Sequence, residues 1–243
     1  MHREKRSILV VDSSSSFIFY IAMLLKKLQY NVQTASTAED ALGMIARQAP
    51  AVVITDTVLP RMNGVDLLKQ IKTNSSLSFI PVMIHTAEAK KEVQDACMRT
   101  GCAGYFLKPV DPDVLYKAVQ AATEATPRQN IRINVALKAR ISGASADAVA
   151  RTEEVTTLSK GGLYVMTTAP EPVNAMISLK LFMRNREIAA TAVVLYSSVK
   201  IGGPHAVPGM GLKFVQIEPE DRDIIREYIR EQVMSNLAIE PRR

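Results

Sequence analysis

Between Ser7 and Glu124, short apolar runs alternate five times with segments of helical period. The runs are SILVV, NVQTA, AVVIT, FIPVMIH and GYFL; the segments after them are FIFYIAMLLKKL, AEDALGMIARQ, GVDLLKQIK, KKEVQDACMRT and DVLYKAVQAATEA. Strands that are apolar nearly throughout are buried on both faces, and a strand that leads through a helix into the next strand returns parallel, by a right-handed crossover. This pattern predicts a doubly wound α/β domain with a five-stranded parallel sheet covered by helices on both faces. Local signals agree: Ser36-Thr37-Ala38-Glu39 reads as a capping box, and Asp111-Pro112 as an N-cap followed by proline at the first helical position.

Ligands of such sheets bind beyond the carboxyl ends of the strands. The residues placed there are Asp12 after the first run, Asp56 after the third, Thr86 after the fourth and Lys108 after the fifth. A carboxylate can accept a phosphoryl group, a second carboxylate can help to hold a divalent cation, and an ammonium and a hydroxyl can contact phosphoryl oxygens. Phosphoryl transfer is mostly positioning and charge neutralisation, so this small set is sufficient for it. Taken singly, each residue is also explained as loop punctuation, a helix cap or a surface charge; it is the four together, in this order, that point to phosphoryl chemistry.

With VVD at 10–12, DTVLPRMNG at 56–64, HTAEA at 85–89 and GYFLKPVDP at 104–112, the first 124 residues resemble the receiver domain of two-component response regulators, a flavodoxin-like fold. The resemblance implies Asp56 as phosphoacceptor, Lys108 as the phosphate-contacting lysine before a cis proline, Thr86 as switch hydroxyl and Tyr105 as switch aromatic. It further implies a histidine kinase as phosphodonor and Mg2+ held by Asp12, Asp56 and the Val58 carbonyl. Receivers usually carry two adjacent acids after the first strand, and here the second is Ser13. A neutral hydroxyl is a poorer partner for a hard dication, so weaker Mg2+ binding is expected, with Asp56 still competent.

After Glu124 the texture changes. Thr126-Pro127 stops the fifth helix, and INVALKARI, AVARTEEVTTL, GGLYVMTT, AMISLKLFM, EIAATAVVLYS and GLKFVQI read as strands between glycine, proline and polar turns. EPEDRDIIREYIREQVMSNL reads as a closing helix. Six strands and a helix predict a closed or nearly closed antiparallel barrel. No segment of this second half before Pro219 looks like a helix-turn-helix pair, so no direct DNA binding is expected.

Ahead of the barrel stand Arg128 and Arg132. An isolated pair of this kind is usually just solvated charge. On an extended chain, however, the even spacing puts both guanidiniums on one side, with alpha carbons roughly 13 Å apart. Downstream, TLSKGGLYV places Ser159 and Gly162 in a turn where a ligand can approach the backbone. Arg128-x-x-x-Arg132, Ser159-x-x-Gly162 and PGMGLKFVQIEPED at 208–221 together resemble the PilZ domain, a receptor module for cyclic di-GMP. The resemblance implies that Arg128, Arg132, Thr157, Ser159 and Gly162 bind that ligand. Guanidinium forks suit phosphate oxygens and the guanine edge. Where the family has Asp or Asn, this chain has Thr157, and the loss of one such contact is expected to weaken binding by roughly ten- to a hundred-fold.

The 243 residues, 47% of them hydrophobic, suffice for two cores, a receiver over 1–124 and a PilZ domain over 125–243. With 14 basic and 12 acidic residues up to Glu124 and 16 and 12 after it, the balance is +2 and +4, a modest bias toward anions. Cys97 and Cys102 fit neither a redox pair nor a zinc set and read as reduced, buried thiols. No stretch approaches the roughly 18 to 20 apolar residues of a membrane span, nor does MHREKRSILVVD read as a signal peptide, so a cytoplasmic location is expected. The chain thus reads as a non-enzymatic signalling protein with phosphoryl and cyclic di-GMP inputs and an unidentified downstream protein partner. The alternative is an interaction adaptor with degenerate sites, supported by Ser13 and Thr157.

Overall fold

The structure, a computed structural model, describes residues 6–143, 149–198 and 208–235. They form two compact units, one running to Gln129 and the other spanning Asn130–Val233.

The first unit alternates β1 (Ser7–Val11), α1 (Ser15–Lys27), β2 (Asn31–Ala35), α2 (Ala38–Arg47), β3 (Val52–Thr55) and α3 (Gly64–Thr73). It continues with β4 (Val82–Thr86), α4 (Lys91–Arg99), β5 (Gly104–Leu107) and α5 (Pro112–Thr123). The strands form one sheet in the order β2-β1-β3-β4-β5, with every pairing parallel. Burial follows the expected logic: β3 and β4 are buried at every position, and Leu9, Ile54 and Ile84 lie in the core between the helical layers.

Helix ends explain several sequence features. Asp111 caps α5 through bonds from the Asp113 and Val114 N–H groups, with Pro112 at the first position, as the sequence predicts. At α2 the box is shifted by one residue from the expected Ser36/Glu39 pair. Thr37 is the N-cap, accepting from the Asp40 N–H at 3.1 Å while its hydroxyl donates to the Asp40 carboxylate at 2.7 Å. Helix α4 ends with Gly101 at φ 90°, and the Cys102 N–H donates to the Cys97 carbonyl. This left-handed cap explains the five-residue spacing of the cysteines, since it brings its first and last residues into apolar contact. Both thiols are free and buried, and burial raises the Cys97 thiol to about 11.

In the second unit, β6 (Arg132–Ser142), β7 (Arg151–Ser159), β8 (Gly162–Met166), β9 (Met176–Met183), β10 (Arg186–Ser198) and β11 (Gly209–Ile217) close into a barrel. The order around it is β10-β11-β8-β7-β6-β9, with neighbours antiparallel, and α6 (Pro219–Met234) follows. Alternation sets what faces inward: Ile141, Val155, Leu158, Val165, Leu181 and Val194 are fully buried, while Arg140, Lys180 and Lys213 are exposed. Closure leaves no free sheet edge.

Two glycines contrast sharply. A Cβ on Gly162 would lie 2.0 Å from the Leu212 carbonyl oxygen, so β8 approaches β11 only because that atom is missing. Gly43, inside α2, has nothing within 4 Å of the corresponding point. Gly162→Ala is therefore expected to lower stability by about 1 to 3 kcal/mol, and Gly43→Ala to raise it by about 0.5 to 1 kcal/mol, both read by urea denaturation.

Candidate functional site

At the carboxyl end of the parallel sheet, three strands deliver Asp12, Asp56 and Lys108 to one point. The Lys108 ammonium lies 2.5 Å from Asp12 Oδ2 and 2.6 Å from Asp56 Oδ2, and all three side chains are at most a tenth exposed. The free carboxylate oxygens are also engaged, Asp12 Oδ1 by the Ser14 N–H at 2.8 Å and Asp56 Oδ1 by the Val58 N–H at 3.2 Å. Beneath the ammonium, 4.3 Å from it, sits the ring of Phe17. The Lys108–Pro109 peptide is cis.

Burial by itself raises the Asp56 carboxyl. The hydrogen bonds from Lys108 and Val58, with the Thr86 hydroxyl nearby, outweigh it and hold the group below its ordinary value. Asp56 is therefore ionised at neutral pH, as a nucleophile must be. Gly64 helps to place it. A Cβ there would fall 1.7 Å from the Asp56 carbonyl oxygen, and the Gly64 N–H donates to the Thr57 carbonyl.

Thr86 is fully buried, and its hydroxyl is 2.6 Å from that of Thr57, a residue the sequence reading does not single out. The Thr57 hydroxyl is also 3.3 Å from the Glu88 carboxylate and 3.4 Å from Asp56 Oδ1. Glu88 in turn donates its N–H to Thr86 Oγ1 and accepts the Tyr105 hydroxyl on its carbonyl at 2.6 Å. Tyr105 is thus half-buried and tethered through its hydroxyl. Only the direct adjacency of Thr57 to Asp56 hints at this network in the sequence.

The oxygen donors fit a small, hard cation. Asp12, Asp56 and the Val58 carbonyl supply three, and water can complete an octahedron. Ser13 donates to the Val58 carbonyl at 3.4 Å, so two of the expected metal-facing groups already touch. Among the described residues no cluster of three acids, histidines or cysteines forms.

The barrel carries the second set. Arg132 opens β6 and pairs in register with Ser159, which pairs with Gly162 across the next ladder. Ser159 donates its hydroxyl to the Gly162 carbonyl at 2.9 Å, so in this state it closes its own turn. Thr157, half-buried, lies two residues earlier on the same face. Asn130 covers the loop, its side-chain nitrogen 2.9 Å from where a Cβ on Gly161 would sit. Arg128 departs from the expected extended chain, because bends at Gln129 and Asn130 precede the strand. The parity argument therefore does not reach it. Its N–H is held by Gln120 of α5 at 3.0 Å, and Gln120 also donates to the Tyr30 hydroxyl. Both guanidiniums are exposed and form no ion pair among the described residues.

The family model of the response regulator receiver domain matches residues 8–120, and that of the PilZ domain matches residues 126–231. Protein PilH of Pseudomonas aeruginosa is 31% identical over 114 residues, covering 47% of this chain and 94% of PilH. Chemotaxis protein CheY-3 of Vibrio cholerae is 38% identical over 103 residues, covering 42% of this chain and 79% of that protein. A crystal structure of a response regulator receiver domain protein from Clostridium thermocellum aligns with a TM-score of 0.46 at 30% identity, covering 49% of this chain and 94% of that one.

His85, also missed by sequence reasoning, is 3% exposed beside Phe17, and its Nε2 has no hydrogen-bond partner among the described residues. Burial, then the nearby Lys108 charge, lower it to about 4 from 6.5. Between these values the unfolded chain binds the extra proton. Stability should thus be unaffected above about pH 6.5, fall by about 3 kcal/mol by pH 4 and level off below. His85→Leu should flatten that part of the profile in denaturation curves recorded across the range.

Proposed function

The chain belongs to the response regulator family, with a receiver domain followed by a PilZ domain, and on that premise we infer that it integrates a phosphoryl signal with cyclic di-GMP. Both are regulatory, non-catalytic families, and no helix among the described residues is long and apolar enough to cross a membrane. Receiver domains generally bind Mg2+ and take phosphoryl groups from a donor such as a histidine kinase, and PilZ domains bind cyclic di-GMP.

The observation that carries the phosphoryl half is the buried Asp12–Lys108–Asp56 trio. In the proposed reaction an Asp56 oxygen attacks the phosphorus of a phosphohistidine, the P–N bond breaks, and the imidazole leaves with that electron pair. Lys108 then moves its hydrogen bond from the Asp56 carboxylate to a phosphoryl oxygen, and the Thr86 hydroxyl turns from Thr57 to another. That turn removes the acceptor of the Glu88 N–H and so reaches the segment to which Tyr105 is tied. Asp12, Asp56 and the Val58 carbonyl, with Ser13 alongside, would hold Mg2+, which would supply charge neutralisation for the phosphoryl group. Ser13 brings no charge of its own, which lowers affinity for the ion.

For the barrel, the exposed arginines and the Ser159–Gly162 turn support a dinucleotide site. Arg128 and Arg132 are assigned the phosphates and guanines, and Ser159, Thr157 and Gly162 the surface beside Arg132. Because the Arg128 backbone is tied to Gln120 of α5, ligand capture and the state of the receiver are coupled, and coupling in affinity is reciprocal.

With Mg2+ and beryllofluoride, the wild type should show a change in the Tyr105 resonances that Asp56→Asn abolishes; no change in the wild type overturns the phosphoryl reading. Ser13→Asp should tighten Mg2+ binding by about tenfold in a metal titration of the free protein. Arg132→Ala should weaken cyclic di-GMP binding by at least about tenfold by calorimetry. Equal ligand affinity with and without beryllofluoride would remove the coupling.

A further inference from the structure

The next inference rests on the cyclic di-GMP reading of the barrel and concerns the group that reads the base. Around the Ser159 turn the barrel wall is ordered in cross-strand rows. One row, Ile133–Leu158–Leu163–Leu212, points inward and is buried throughout. The rows on either side of it face outward.

The first outward row is Arg132–Ser159–Gly162–Lys213. Cations stand at its two ends, with a hydroxyl and a bare backbone between them, a composition suited to phosphate. The second row is Asn134–Thr157–Tyr164–Gly211–Tyr196. Its chemistry is that of a base site: an amide, a hydroxyl and two aromatic rings. Tyr164 and Tyr196 stack at 6.2 Å and 26°, lying across Gly211, where a Cβ would fall 2.4 Å from the Tyr196 ring.

At the other end of this row Asn134 stands directly opposite Thr157. It is exposed, and its carboxamide has no hydrogen-bond partner among the described residues. Register shifts bracket the pair, one between Asn134 and Leu137 in the β6–β7 ladder and one between Val155 and Thr157 in the β7–β8 ladder. Such irregularities re-aim side chains and gather beside binding sites. Residues paired across an antiparallel ladder have Cβ atoms roughly 5 Å apart, so a carboxamide on either one reaches the space above both.

A guanine edge offers donors beside an acceptor, and a carboxamide matches it with one acceptor and two donors, where a hydroxyl has a single hydrogen to give. We propose that Asn134 supplies from β6 the carboxamide that Thr157 lacks on β7, and that it is the base-reading residue of this barrel. The amide has changed strands but kept its place above the row.

Titration calorimetry of the full chain with cyclic di-GMP tests this. Asn134→Ala should weaken binding by at least about tenfold and Thr157→Ala by less than about threefold. Asn134→Ala combined with Thr157→Asn, which returns the amide across the pair, should recover the wild-type affinity to within about threefold, with melting temperatures unchanged in all variants. Wild-type-like binding by Asn134→Ala, or a double variant as weak as the single, overturns the proposal while leaving the cyclic di-GMP reading intact. A folded wild type that does not bind the ligand overturns both.

Discussion

The receiver depends on one ammonium held between two buried carboxylates. Asp12 and Asp56 end adjacent strands, β1 and β3, so the same parallel pairing that builds the core forces two like charges together. Lys108 makes that tolerable, bonding both from the end of β5. The trio keeps a net charge of −1 in a nearly dry setting. Loss of one partner from such an arrangement typically costs about 3 to 5 kcal/mol, because the charge left behind has no water to turn to. Because Lys108 bonds both carboxylates, the two charges are held by short hydrogen bonds from a single donor.

Around this trio, hydroxyls form a connected chain. Thr86 stands between Thr57 and the Glu88 N–H, and the Glu88 carbonyl holds the hydroxyl of Tyr105, an aromatic ring two elements away in sequence. Each member is buried or half-buried, which makes an unsatisfied group expensive and favours discrete arrangements over gradual drift. Ligand-dependent switching uses this property, because small contacts at one place can then select between two packed states.

The barrel solves a different problem with different means. Its closed wall separates an apolar inside from a polar outside by strand alternation alone. There the backbone does much of the work. Gly162 lets β8 press against β11, Gly211 lets two tyrosines lie flat, and register shifts fall on both sides of the Asn134–Thr157 pair.

Much of this was legible in the chain itself. Five alternations of apolar run and helical period, the order of Asp12, Asp56, Thr86 and Lys108, and the six later runs depend on local periodicity, which is written residue by residue. The one-residue shift of the α2 cap from Ser36 to Thr37, the bends that take Arg128 off the extended chain and the engagement of Ser159 with Gly162 depend on competition among near-equal local bonds, which spacing does not rank. Thr57, His85 and Asn134 were beyond sequence reasoning for a further reason. A threonine, a histidine and an asparagine acquire meaning only from what faces them, and strand order and register bring Thr86 and Thr157 opposite, while the packing of α1 brings Phe17. The sequence determined which elements form and which chemistry they carry; tertiary packing alone decided which groups meet, because contacts across a sheet are set by long-range pairing that no local pattern encodes.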